Sequence, residues 1–482
     1  MEDPQERYWT PRQRIGAVLA PLAFVGLWFA PLELSTEAHR LSAIFVAVII
    51  LWITEVLPIA ATALLIAPLL VVCGVTDAST AFSPYADPLL FLFVGGFMIA
   101  QSMTRHGLDR RIALGIVSLK VIGDSPTRVR MAFMVTAALL SMWVSNTATA
   151  AILVPIMLGL LGATEKDRGA TDRTITGSLL CIAYTCSIGG LGTPVGSPPN
   201  LIAMRFLKDA GHSFAFFDWV KVAFPITVVM IVVSFFVYAI FFPPIDIPKD
   251  TKASRPAPKG PLSKGEWVTL LAFSVAVVGW MLPGIFKLIG TDSLTKIGSL
   301  MPGGAVAILA ASILFMFRDD RDRVLPWHEA TQIDWGIIML FGGGISLGHQ
   351  LSETGLAGIL ATQVVEATGV SNLWALTALV TFFTIFFTEV CSNTATSNMV
   401  SPLVIAVAAE LGVSPIPPVL AVGLAASCAF MLPIATGPNA VVYGSGRVTV
   451  PAMMQAGFAL NLLCGLIIIV MLRLLCPLWG WG

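Results

Sequence analysis

Apolar positions along this chain run in long uniform stretches. Examples are IGAVLAPLAFVGLWFAPL from Ile15, LSAIFVAVIILWI from Leu41, VKVAFPITVVMIVVSFFVYAIFF from Val220 and LNLLCGLIIIVMLRLL from Leu460. Such stretches reach the length that crosses a bilayer, and the polar faces that outer helices of a soluble core would need are missing. The pattern predicts an all-α polytopic membrane protein with about 11 transmembrane helices. These fall roughly over 15–32, 41–57, 59–76, 87–104, 176–212, 217–242, 266–284, 294–317, 335–353, 415–446 and 451–475. Segments 176–212 and 415–446 are too long and too rich in Gly and Pro to be single straight helices. Two further apolar pairs, 129–161 and 371–410, are each broken at the middle by the pentapeptide SNTAT, at Ser145–Thr149 and again at Ser392–Thr396. Read as re-entrant hairpins, the pairs put their polar tips at mid-depth. Read as double crossings, they put the tips outside, and loop charge alone does not decide between the two.

The pentapeptide belongs to a larger duplication. FVGGFMIAQSMTRHGL from Phe93 matches FGGGISLGHQLSETGL from Phe341, at nearly the offset that separates the SNTAT copies. SPPN (Ser197–Asn200) then faces TGPN (Thr436–Asn439) after a short gap. A Gly-Gly pair alone reflects close helix packing, but three matches in one order indicate a unit written twice. An odd number of predicted spans separates the unit starts, which inverts the second unit, as in many secondary transporters.

The expected organisation is a cytoplasmic tail and first helix over 1–40, then a first repeat over 41–242 containing hairpin 129–161. A cytoplasmic linker follows over 243–265, and an inverted second repeat over 266–482 contains hairpin 371–410. Basic residues favour this orientation: Arg7, Arg12, Arg14, Arg105, Arg110, Arg111, Lys166, Arg168 and the linker lysines share one side. The other side keeps scattered Arg40, Lys287 and Lys296. No small-residue cleavage signal follows the N-terminal segment, so the first helix is expected to be retained. The localisation this implies is a plasma membrane, the inner membrane if the source is bacterial.

Composition sharpens the class. Only 12% of the 482 residues are charged, and mean hydropathy is +0.85, whereas soluble domains carry about 25% charged residues. With 28 basic and 28 acidic residues the formal net charge is zero, and no basic tract exists to follow a nucleic-acid backbone. The seven cysteines form no CxxC pair and no metal-ligand spacing, and read as small hydrophobes. Nothing resembles a hydrolase elbow, a phosphate loop or a metal cluster, so an enzyme is not expected.

The chemistry lies in the breaks. Helices starting after the SNTAT tips, near Thr147 and Thr394, present free amides suited to negative charge. Paired breaks at Gly189–Asn200 and Leu432–Ala440 expose carbonyls suited to a small cation. Hard hydroxyl, amide and carbonyl oxygens fit an alkali cation better than a transition metal. Glu389, three residues before the second tip, reads either as an acceptor capping a hairpin amide or as a charge that senses the cation. Trp52, Glu55 and Pro58 in LWITEVLP are expected to shape a tight turn. These residues describe a cation-coupled transporter of a small anion.

Several motifs carry a family likeness: WITEVLPIAATALL (Trp52–Leu65), both SNT turns, SIGGLGTPVGSPPN (Ser187–Asn200) and AFMLPIATGPNAVVYGSG (Ala429–Gly446). The chain resembles the divalent anion:sodium symporter family. That resemblance implies sodium as the coupling ion, held at one site by Ser141, Ser145, Asn146 and the Gly192 region and at another by Thr388, Ser392, Asn393 and Ala435. It implies a dicarboxylate held between Asn146, Thr147, Asn393, Thr394 and Thr436, with Gly437 at its edge where many members have proline. It also implies a homodimer working by an elevator-like motion, with a C4-dicarboxylate such as succinate, malate or fumarate as substrate. The alternatives are a sodium-independent exchanger, a citrate or sulfate carrier, and an anion channel.

Overall fold

The computed structural model describes residues 9–119, 125–161, 170–212, 214–243, 260–319 and 322–481. Residues 244–259 of the expected linker, the tail before Trp9, and Lys166 and Arg168 lie outside the described residues. Regular structure among these residues is helical, with one isolated bridge between Arg318 and Arg323. Five helices are individually long and apolar enough to cross a membrane, or up to seven if each of two bent pairs is one span. The expected count of about 11 is not reached by this measure, because 176–212 and 415–446 are broken, Ile59–Val72 is short, and Pro11–Phe29 and Trp335–Glu353 are too polar to qualify.

The expected breaks fall where the small polar residues stand. The first hairpin has arms Pro126–Ser141 and Asn146–Leu160, and the second has arms Leu373–Thr388 and Asn393–Glu410. Segment 176–212 divides into Ala170–Gly190 and Pro198–Asp209, and 415–446 divides into Ile416–Ala425 and Gly437–Gly444. Proline at the first or second helical position suits each restart, since it has no N–H to leave unpaired.

Three features depart from the sequence expectation. Leu108–Val117 and Leu356–Thr368, which follow the two Gly-Gly helices at matching places, are helices that no predicted span covers. The second meets the following hairpin arm at 95°. The span expected over 294–317 is instead two helices, Asp292–Ser299 and Gly303–Met316, bent by 66°. Pro302 explains the bend, because the residue before a proline is pushed out of helical geometry.

Two groups of helices enclose the site. Pro11–Phe29 packs on Thr36–Thr54, Ile59–Val72 on Trp335–Glu353, and Gly303–Met316 on both Pro88–Arg105 and Lys264–Ile289. Against these lie the hairpins and broken helices, with the arm Pro126–Ser141 on Ala170–Gly190 and Leu373–Thr388 on Ile416–Ala425. Trp52 is fully buried, and its indole N–H donates to the Ile59 carbonyl across the LWITEVLP turn. Glu55 sits in that turn with φ 52°, the one non-glycine residue at positive φ among those described.

Candidate functional site

Each SNTAT turn ends one apolar arm and starts another at Asn146 or Asn393, with Ser145 or Ser392 at the N-cap. Serine at this position ordinarily accepts from an amide of the first turn. Neither side chain does so here, which leaves both hydroxyls available to a ligand. The asparagines are positioned from behind. The Ser141 hydroxyl donates to Asn146 Oδ1 at 2.8 Å, and the Thr388 hydroxyl lies 2.8 Å from both Asn393 Oδ1 and the Ala426 carbonyl. One bonding scheme thus occurs twice, once in each unit.

The helix breaks repeat another scheme. Asn200 Nδ2 donates to the Gly190 and Thr193 carbonyls at 2.9 and 2.8 Å. Asn439 Nδ2 donates to the Ala429 and Leu432 carbonyls at 3.1 and 3.0 Å. Space at the first break is tight. A methyl group placed on Gly190 would meet Asn146 Oδ1 and the Gly196 carbonyl oxygen at 2.8 Å each. Oxygens of Asn146 and Gly196 therefore crowd a residue that has to be glycine, and the Ser141 carbonyl oxygen lies 3.0 Å from where a Cβ on Gly196 would stand. Such neutral hard oxygens suit an alkali cation.

Both tips and both breaks line one cavity of about 730 Å³. Ser145, Asn146, Thr147, Ser392, Asn393, Thr394, Ala435, Thr436 and Gly437 all face it. Ser141 and Thr388 sit buried behind their asparagines. Gly192 lies apart, against the Met142 side chain. The repeat pairs Ala435 with Gly196, which does line the cavity. Ser187 lines it as well, with a buried hydroxyl that has no partner among the described residues.

Among the described residues four charged groups line this cavity, and of these the sequence motifs point only to Glu389. Arg12, Glu55 and Asp334 come from the ends of other helices. Arg12 donates to the Val390 carbonyl at 2.9 Å and to the Ile53 carbonyl, and lies 3.6 Å from Glu55. Asp334 caps Trp335–Glu353 through the Ile337 amide. Glu389 acts as a capping acceptor. Its oxygens accept from the amides of Phe430, Met431 and Leu432 at 2.7, 2.9 and 3.2 Å, and from Asn461 Nδ2 at 2.7 Å. With three acidic side chains and one basic one around it, the cavity favours cations, and an anion entering it gains from cations already bound.

The model of the family described as the sodium:sulfate symporter transmembrane region matches residues 12–481. A protein of Staphylococcus saprophyticus called sodium-dependent dicarboxylate transporter SdcS is 33% identical, over 96% of this chain and 92% of its own. A transporter of Haemophilus influenzae is 36% identical, over 93% and 94%. Among solved structures, the Alcanivorax borkumensis YdaH transporter superposes with a TM-score of 0.53 at 14% identity, over 83% of this chain and 86% of that one. MtrF of Neisseria gonorrhoeae gives 0.53 at 12% identity, over 97% and 95%. These two matches carry the fold alone. The chain is a multi-pass membrane transporter, not an enzyme, and belongs to the sodium:sulfate symporter family, the divalent anion:sodium symporters that its doubled SNT turns resemble.

Proposed function

We propose that this protein couples sodium entry to uptake of a C4-dicarboxylate such as succinate, malate or fumarate. The carrying observation is the single cavity into which both polar tips and both helix breaks open. The dicarboxylate lies between the two tips, on Asn146, Thr147, Asn393, Thr394 and Thr436. One sodium binds beside Asn146, Ser141, Ser145 and the first break, and another beside Asn393, Thr388, Ser392 and Ala435. Names of relatives such as the staphylococcal sodium-dependent dicarboxylate transporters support both the ion and the substrate class. The acidic lining supports the ion alone: it attracts cations, and a doubly charged anion near mid-membrane then needs those bound cations as its counter-charge.

The two units are inverted copies, with the N-terminus and central linker cytoplasmic. The protein works as a homodimer by an elevator-like alternation in which hairpins and broken helices move against the remaining helices. Sodium and the dicarboxylate are both cargo.

The test is uptake of succinate, citrate and sulfate into proteoliposomes, each with and without an inward sodium gradient. Sodium-dependent, saturable succinate uptake is the expected result. Equal uptake without sodium points to an exchanger, preference for citrate or sulfate changes the substrate, and single-channel current points to a pore.

A further inference from the structure

A second cavity, of about 460 Å³, shares no lining residue with the proposed transport site. That volume falls within the range of about 300–1,000 Å³ usual for small-molecule sites. Its wall is mostly apolar, with Leu89 and Leu92 of Pro88–Arg105 facing Met204 of Pro198–Asp209, and Trp280 and Pro283 of Lys264–Ile289 between them. The Trp280 indole N–H donates to the Gly303 carbonyl at 3.0 Å, so this ring offers the cavity no free donor. Among the described residues one charged side chain lines the space, Lys208 in the last turn of Pro198–Asp209. Lys208 is exposed and has no ion pair among those residues, whereas its neighbour Asp209 is taken up by Arg205. The surface around the lining is apolar too. Ile297 and Leu300, which flank the lining residues Gly298 and Ser299, are 49% and 77% exposed, and Phe91, between Leu89 and Leu92 in the chain, is 46% exposed.

We propose that this cavity binds an anionic phospholipid, an acyl chain lying between the apolar walls and the phosphate resting on Lys208. The exposed apolar rim, in a chain that crosses a membrane, marks surface that faces lipid, so the occupant comes from the bilayer. The apolar wall, with its indole N–H already bonded, suits a hydrocarbon chain and gives a polar molecule nothing to hold. The head-group charge is selected by Lys208. A lysine at a helix end lays its stem on apolar surface and keeps its ammonium at head-group depth, and basic groups in such places attract anionic lipids. A zwitterionic lipid brings its own cation to Lys208 and binds more weakly. Met204 and Lys208 stand on a broken helix, while the leucines, Trp280 and Pro283 stand on enclosing helices, so the bound chain touches both groups. The site goes beyond the transport function proposed above and does not rest on it.

The test is tryptophan fluorescence of the full-length protein in detergent, titrated with phosphatidylglycerol or phosphatidylcholine carrying brominated acyl chains. Bromine quenches an indole it touches, so a chain in the cavity dims Trp280. Phosphatidylglycerol is expected to half-quench at a concentration about fivefold lower than phosphatidylcholine, the scale of one lysine at a membrane surface. Lys208→Gln should make the two lipids equal, and Trp280→Phe should remove the quenching component that separates them. Equal half-quenching by both lipids in the wild type overturns the proposal, since the cavity then takes any acyl chain or none. A preference that survives Lys208→Gln or Trp280→Phe also overturns it, because the anionic lipid then sits elsewhere. Should Trp280→Phe fail to fold, thermal midpoints decide: phosphatidylglycerol must stabilise the wild type more than phosphatidylcholine does, and Lys208→Gln must abolish that excess. None of these measurements requires transport, so failure of sodium-dependent uptake leaves the outcome unchanged.

Discussion

Arg205 Nε lies 2.7 Å from Asp87 Oδ2, tying the far end of Pro198–Asp209 to the start of Pro88–Arg105. Arg205 also pairs with Asp209, so one guanidinium stands between two carboxylates. The helix that opens onto the cavity at Pro198 is pinned at its other end. Arg205→Gln leaves the nearly buried Asp87 unpaired and should cost about 3–5 kcal/mol of stability. Adding Asp87→Asn should restore much of this, because asparagine can still cap the Leu89 amide. Thermal denaturation in detergent measures both. A double variant that loses the sum of the single losses would show that the pair is not what holds the helix.

Asn146→Ala and Asn393→Ala should each nearly abolish sodium-dependent uptake while gel-filtration behaviour stays that of wild type. Each removes an amide held in place by a hydroxyl from behind, and the loss of one such contact costs about 1–3 kcal/mol. Normal succinate transport by either purified variant would refute the site.

Glu389→Gln should destabilise the protein without first affecting substrate selectivity. A glutamine oxygen cannot serve all four N–H donors that the carboxylate accepts, and an orphaned buried amide costs about 1–3 kcal/mol. Asn461→Leu should act non-additively with it, as the two touch. Unchanged thermal midpoints together with a changed sodium dependence would instead make Glu389 a cation sensor.

Arg12→Gln should raise half-saturation for succinate about threefold, the scale of a half-exposed ion pair. It removes the one basic group that lines the cavity among the described residues, and the bond to Val390 at the second tip. The effect should shrink at high salt. An effect insensitive to ionic strength would assign Arg12 a purely structural role.

Succinate affinity in detergent should rise with sodium, with potassium as replacement salt giving no such rise and lithium competing. By reciprocity the dicarboxylate should tighten sodium binding by the same factor. An affinity unchanged between sodium-free and saturating sodium would sink the coupling and favour exchange.

The polar turns were legible because SNTAT is conspicuous inside apolar sequence, and because it occurs twice. The breaks at Gly189–Asn200 and Leu432–Ala440 were legible from Pro, which fixes φ and removes an N–H, and from Gly, which loosens the backbone. Leu108–Val117 was missed because it is short and carries Asp109, Arg110 and Arg111, so a hydropathy criterion passes over it. Leu356–Thr368 was hidden behind the same length criterion. Arg12 and Asp334 were illegible as site residues for another reason. They stand at helix ends far from the motifs in sequence, and only tertiary packing brings them to the cavity. Gly192 lies against Met142 and away from the cavity, whereas Gly196, four residues later and aligned with Ala435 in the repeat, lines it.

The amides of Asn200 and Asn439 each bridge two carbonyls across a helix break. Each loop is thereby stapled to itself and has few ways to widen. Under the proposed sodium coupling this stiffness favours the smaller ion: a ring of fixed bore fits a small bare ion and cannot relax around a larger one. Each hairpin tip is held by a single hydroxyl to the following asparagine, Ser141 to Asn146 and Thr388 to Asn393. Under the proposed coupling, the bore of each ion site is thus set by the break and not by the ion that enters it.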